Sequence, residues 1–242
     1  KPYHAYESFA GREGRDTRIR VRRQLGGPVR ELAVVPARLD GGSMFLEAMR
    51  RSARVEVVDG VRVAYVRLWS YASDDYQEIL AELVADRFAS AEALVLDLRG
   101  GWGGASPEYL NLYNRKVPII DFVGRNGRPE RLDSQWRKPL VVLMDETSRS
   151  GKEILAFGVR RYGLGQLVGA RTAGAVVFGR AYLLDSGNLL YLAVGDCRVD
   201  GQRLEGVGVE PDLPVEWDLP YSAGRDPQRK AALEAAARAA RP

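Results

Sequence analysis

An α/β fold is the class this sequence predicts, on three observations. Short continuous aliphatic runs, Leu94 to Leu98 and Leu140 to Met144, are too brief for helices and apolar on both faces, as parallel strands buried between layers are. Between such runs lie segments whose apolar residues recur at helical spacing, so strands alternate with crossover helices. At 242 residues, 45% of them hydrophobic, the chain is also long enough to bury one large core.

The elements follow in order. Residues 1 to about 36 hold two strand-like runs, Thr17 to Arg22 and Glu31 to Val35, joined by the hairpin-type turn Leu25-Gly26-Gly27-Pro28. A short helix from about Ser43 to Arg51 leads to strands Val55 to Val58 and Val61 to Leu68, linked by Asp59-Gly60, a favoured two-residue hairpin turn. Asp74-Asp75 then caps a helix whose residues Ile79, Leu80, Leu83, Val84 and Phe88 recur at helical spacing. A strand at 92 to 98, a helix near 106 to 114, a strand at 139 to 144, a helix at 150 to 162 and a strand at 166 to 169 complete the alternation. Beyond Gly174 the pattern turns to two strands, Val176 to Leu184 and Asn188 to Val194, around the turn residues Asp185-Ser186-Gly187. The chain ends in an Ala-rich helix, Asp226 to Ala240, whose only large apolar side chain after its start is Leu233, so weak packing is expected of it.

Composition removes several classes of function. The net charge is +4, but the 36 basic residues are scattered among 32 acidic ones, without the basic stripe and interleaved aromatics that a nucleic-acid groove requires. One Cys (Cys197) and one His (His4) exclude an internal disulfide framework and a Cys/His metal site, and no cofactor is implied. No apolar run approaches the ~20 residues of a membrane span. Lys1 opens the sequence inside what reads as a β-domain, so any export signal would lie upstream, and the absence of one here means little.

Two segments carry the chemistry. Asp97-Leu98-Arg99-Gly100-Gly101-Trp102-Gly103-Gly104 and Thr147-Ser148-Arg149-Ser150-Gly151-Lys152-Glu153-Ile154 each follow a buried strand, where ligands bind in open parallel sheets. Glycines in the first let backbone N–H groups approach another atom closely. The second sets a serine at the opening of a helix, whose positive end favours developing negative charge. Together they have the makings of an oxyanion hole and its nucleophile, Ser150, with Ser148 as its nearest competitor. Ser150-Gly151-Lys152-Glu153 is equally a capping box, in which the serine only satisfies the helix end. Asp97 and Arg99 are expected to form a structural pair or to cap the loop rather than to act chemically. Trp102 is either a pocket wall or a plug beneath the loop, and Trp69, Tyr71 and Tyr76 read as partly buried aromatics near the end of strand 61 to 68.

The order of Asp97-Leu98-Arg99-Gly100 with Gly103-Gly104, Pro139 to Asp145, the serine-rich turn before Glu153-Ile154, Leu167-Val168-Gly169 with Arg171-Thr172, and Gly206-Val207-Gly208-Val209-Glu210-Pro211-Asp212 resembles the C-terminal processing (tail-specific) serine peptidases. The resemblance covers roughly residues 61 to 215 and implies a crotonase- or Clp-protease-like core of repeated ββα units. It divides the chain into a C-terminal part of a PDZ-like domain (1–38), a linker helix and strand (39–60), the catalytic core (61–222) and a helical tail (223–242). It implies Ser150 as nucleophile, the N–H groups of Gly104 and Gly151 as oxyanion donors, and an extended polypeptide tail as substrate. It also favours an extracytoplasmic setting and leaves an oligomer open.

The base departs from the family. A lysine in Thr-Phe-Gly-Lys-Gly, oriented by a glutamine four residues on, serves the bacterial members; the aligned run here is Thr172-Ala173-Gly174-Ala175-Val176, with Gly179 at the glutamine position. Three replacements stand. Lys152 is one, although two positions along a helix it points away from Ser150 and reads as a solvated first-turn charge. The tricorn-type branch offers another, a histidine fixed by a glutamate that Glu205 matches, with His4 or an upstream histidine as the source. The third is no base at all, making the chain an inactive relative that binds peptides or small ligands.

Overall fold

The computed structural model describes residue 9, residues 11–217 and residues 222–241. The chain divides into two compact units, residues 1–44 with 217–226 and residues 45–216 with 227–242. In the first, strands β1 (Thr17–Arg22) and β2 (Val29–Val34) pair as an antiparallel hairpin, with Gly26 at φ 72° in the turn. Helix α1 (Gly41–Ser52) runs from this unit into the next, where it buries Met49.

The second unit is built on a six-stranded sheet. Its strands are β3 (Arg54–Val58), β4 (Val61–Arg67), β5 (Ala93–Asp97), β8 (Leu140–Met144), β9 (Gln166–Gly169) and β12 (Leu213–Pro214), in that order from one edge to the other. β3 and β4 are antiparallel across Asp59-Gly60; every other pair is parallel. Helices α2 (Asp75–Ala85) and α3 (Gly151–Arg161) connect parallel strands, and Pro107–Tyr113 forms a 3₁₀ helix rather than an α-helix. Two further hairpins, β6 (Ile120–Val123) with β7 (Pro129–Leu132) and β10 (Phe178–Leu183) with β11 (Leu189–Gly195), pair outside the main sheet.

The aliphatic runs are buried on both faces because alternate residues feed two separate cores. Ala64 and Val66 of β4 with Leu68 just beyond it, Leu94 and Leu96 of β5, and Val142 and Met144 of β8 pack with Ile79 and Leu80 of α2 and Leu155, Ala156 and Val159 of α3. Val63, Tyr65, Val95, Val141, Leu143 and Val168 face the other way. What covers them is α4 (Pro227–Ala239), through Ala232, Leu233, Ala235, Ala236 and Ala237. The weak packing expected of this helix is therefore wrong. Small side chains let its backbone come close to the sheet, so it buries alanines where a helix with a conventional apolar stripe would bury leucines.

Candidate active site

The two chemical segments leave neighbouring strands, β5 and β8, at their carboxyl ends, so the topology sets them side by side. Below them Asp97 and Arg99 are both fully buried. The Arg99 guanidinium donates to both Asp97 oxygens at 3.0 and 2.7 Å, Tyr65 Oη donates to Asp97 Oδ2 at 2.7 Å, and Arg99 also reaches Gln228 of α4 at 3.1 Å. A buried charge needs such pairing, and here it fixes the floor from which the glycine loop departs. The expected structural pair is what this chain forms.

The loop from Gly100 to Gly104 is held against four partners. Gly100 N–H donates to Thr147 Oγ1 (2.8 Å), Trp102 N–H to the Trp69 carbonyl (2.7 Å) and Tyr71 N–H to the Gly103 carbonyl (3.1 Å), while the Gly100 carbonyl accepts from Lys152 (2.6 Å). Glycine is demanded here by space and by conformation. Gly101 sits at φ 67°, and a Cβ on it would fall 1.6 Å from the Trp69 carbonyl oxygen. Trp102 is 66% exposed, so it does not plug the core beneath the loop. Tyr71 and Tyr76 are buried, whereas Trp69 is half-buried, with the Arg67 guanidinium 3.6 Å from its ring centroid.

Ser150 lies at the mouth of α3 against this loop: a Cβ built on Gly103 would sit 3.1 Å from Ser150 Oγ, and one on Gly151 would strike the backbone of Ala105. Glu153 supplies the carboxylate half of a capping box, accepting Ser150 N–H at 3.1 Å, while its own N–H donates to the Ser150 carbonyl at 2.8 Å. The Ser150 backbone, however, is at φ 58°, ψ −128°. A helix cap adopts an ordinary extended conformation, so capping does not require this geometry, which costs on the order of 1–3 kcal/mol for a residue with a side chain. A sharp, strained turn from strand to helix is how a nucleophilic serine is lifted clear of its surroundings. Among the described residues the N–H groups of Gly103, Gly104 and Gly151 have no protein acceptor. The competitor Ser148 is fully buried, its hydroxyl donating to the Leu98 carbonyl at 3.0 Å and accepting from Asp145 N–H at 3.1 Å, so it acts as a pin between the two loops.

Two residues do more here than the sequence suggested. Glu153 is fully buried and its carboxylate gathers four donors: Thr172 Oγ1 (2.5 Å) and Gly174 N–H (2.7 Å) on Oε1, Ala175 N–H (2.8 Å) and Ser150 N–H (3.1 Å) on Oε2. It thereby fastens the strand-exit segment 172–175 beside the serine, and Ser150 N–H also donates to the Ala175 carbonyl at 3.1 Å. Lys152, expected as a solvated charge, is instead fully buried. Its ammonium donates to the carbonyls of Leu68 (2.8 Å), Trp69 (3.3 Å) and Gly100 (2.6 Å). In its charged form all three ammonium protons are taken by these carbonyls, and no hydrogen bond joins Lys152 to Ser150. Burial pushes its pKa down to about 7, with Arg67 adding to the depression and Asp97 and Asp145 opposing it. One signal was present in the sequence: a cation in the first turn of a helix opposes the helix dipole, so its position asks for another reason.

Glu205 is half-buried, and its Oε2 accepts Val176 N–H at 2.6 Å, one residue beyond Ala175. Its Oε1 accepts from no described residue. His4 lies outside the described residues.

The chain is similar to known peptidases in sequence and in fold. Over 233 residues the chain is 28% identical to tricorn protease homolog 1 of Streptomyces coelicolor, covering 93% of this chain and 22% of that protein. It is 27% identical over 187 residues to the carboxyl-terminal-processing protease of Synechocystis, covering 72% of the chain and 44% of the relative. Thus the chain spans less than half the length of these curated relatives. Its fold is similar to the crystal structure of the tricorn protease, with a TM-score of 0.60, 23% identity, and coverage of 92% of this chain and 22% of that one. It is likewise similar to mature CPAF, with a TM-score of 0.57, 18% identity, and coverage of 90% and 65%. The description of Peptidase family S41 matches residues 62–215, which take in both loops, Ser150, Glu153 and Glu205, and on that match the chain belongs to peptidase family S41.

Proposed function

We propose that this chain carries the catalytic core of a serine endopeptidase of the C-terminal processing type, acting on extended polypeptide tails. The observation that carries the reading is the strained backbone of Ser150 at the start of α3, against a glycine loop with unpaired N–H groups. Ser150 Oγ attacks the scissile carbonyl as its proton passes to a base. The N–H groups of Gly104 and Gly151 hold the resulting oxyanion, and the leaving amine takes the proton as the acyl-enzyme forms. Water then attacks the ester by the reverse roles, releasing the new carboxyl terminus.

The base is an imidazole oriented by Glu205, as in the tricorn-like branch, since Ala175 carries no titratable group and Lys152 is committed to carbonyls. It comes from His4 or from a histidine elsewhere in the protein. Parallel strands feeding helices support the crotonase-like core of ββα units. The β1–β2 hairpin supports reading residues 1–38 as part of a PDZ-like domain, before a linker at 39–60, a core at 61–222 and a tail at 223–242. Kinship with tail-specific proteases supports an extracytoplasmic setting, and no described helix is long and apolar enough to cross a membrane.

The test is cleavage of an unstructured tail peptide by the full protein and by Ser150→Ala. Loss of cleavage with unchanged folding is expected, whereas undiminished cleavage by the alanine variant would place the nucleophile elsewhere.

A further inference from the structure

The backbone N–H and C=O of Gly100 are both gripped from the α3 side of the site. Thr147, in the turn before α3, takes the N–H, and Lys152, in its first turn, donates to the carbonyl. The same ammonium reaches back to the Leu68 and Trp69 carbonyls at the end of β4, and the Trp69 carbonyl in turn accepts Trp102 N–H from the glycine loop. One buried cation therefore ties together the end of β4, the glycine loop and the start of α3, the three pieces that meet at Ser150. Three carbonyl oxygens converging in a buried space repel one another unless a positive charge lies between them.

Resting on the reading of Ser150 as nucleophile, we infer that Lys152 is a positioning residue of the reaction: its ammonium clamps the glycine loop in the arrangement in which loop N–H groups and that of Gly151 share one oxyanion. Neutralising the amine removes one donated proton and the charge, so at least one carbonyl is released and the loop loosens. The charged groups facing Lys152 are Asp97 on β5, Asp145 after β8 and Arg67 at the end of β4. Burial brings its titration down to about pH 7, so the clamp is engaged at acid pH, half released near neutral and released as the pH rises further.

Amide NMR of Gly100, Gly101, Gly103 and Gly104 from about pH 5.5 to about pH 9, a range that brackets the release of the clamp, in the wild type and Lys152→Met, reads the clamp directly. Nitrogen-15 NMR of the Lys152 amine follows its titration in the same samples. The rate at which a fluorophosphonate labels Ser150 reads the consequence. Expected are loop amides that titrate together with the amine in the wild type and not in Lys152→Met. Wild-type labelling should lose rate with the same apparent pKa. Labelling of the variant at low pH should be roughly 10- to 100-fold slower, less than the ~100- to 1000-fold of a deleted oxyanion donor because the donors are loosened and not removed. A residue of merely structural importance leaves that pH profile unchanged. Loop amides indifferent to the amine's titration, or Lys152→Met labelled at the wild-type rate, overturn the inference. Should Lys152→Met not fold, the wild-type titrations decide alone. A wild type that is never labelled refutes the assignment of Ser150 instead, and the loop amides still decide the role of Lys152.

Discussion

Replacing Glu153 by glutamine is the most exacting perturbation of this site, because it keeps the shape and removes only acceptor capacity. The carboxylate receives two donors on each oxygen, from Thr172 and Gly174 on one side and from Ala175 and Ser150 on the other. A glutamine amide offers one oxygen, so whichever way it turns, two of the four donors meet an NH₂ group. Each hydrogen bond to a charged acceptor contributes about 1.5–3 kcal/mol, and leaving buried donors unpaired costs a comparable amount, so the loss is on the order of 3–5 kcal/mol. Against a typical unfolding free energy of 5–15 kcal/mol, that is a large share. The assay is urea unfolding followed by circular dichroism. With a slope of about 1–3 kcal/mol per molar urea, the midpoint should fall by roughly 1–5 M. A glutamine variant within about 1 kcal/mol of the wild type would refute the four-donor account, and with it the argument that Glu153 fastens residues 172–175 beside Ser150.

Further perturbations separate the roles. Gly101→Ala should cost more than the ~1 kcal/mol of an unfavourable φ, because its Cβ meets the Trp69 carbonyl and must displace the loop; thermal unfolding and Ser150 labelling should both register it. Glu205→Gln should slow peptide hydrolysis by a large factor with little change in stability, and equal hydrolysis rates would remove Glu205 from the account. Deleting residues 227–242 should abolish cooperative unfolding, since it bares Val63, Val95, Val141, Leu143 and Val168, whereas a folded truncated chain would show that α4 is dispensable. Stability should rise as the pH increases from about 7 towards 10.5, because the unfolded chain then holds a proton on Lys152 that the folded chain has released. Lys152→Met should flatten that slope in urea titrations.

The sheet was legible because its strands, covered on both faces, leave continuous aliphatic runs that no amphipathic element produces, and the two loops were legible from their glycines and serines. Helix α4 misled because apolar periodicity weighs large side chains, whereas close approach to a sheet favours alanine, which carries little weight in such a pattern. Lys152 misled for a related reason: charge type and helix position say solvent, and only the three-dimensional meeting of Leu68, Trp69 and Gly100 carbonyls supplies the partners that hold an ammonium inside. Glu153 could be read as a capping residue from its spacing, but its other donors come from residues 172–175, brought near by the parallel pairing of β8 and β9. The same pairing sets Ala175 beside Ser150, whose N–H donates to the Ala175 carbonyl.

The central claim is that Ser150 is an activated nucleophile rather than a helix cap. Reaction of the full protein with a fluorophosphonate, followed by peptide mass spectrometry, tests it most directly. The account predicts a single adduct on the peptide containing Ser150, absent from Ser150→Ala and unchanged in Ser148→Ala; an adduct on another residue, or equal labelling of Ser150→Ala, would contradict it.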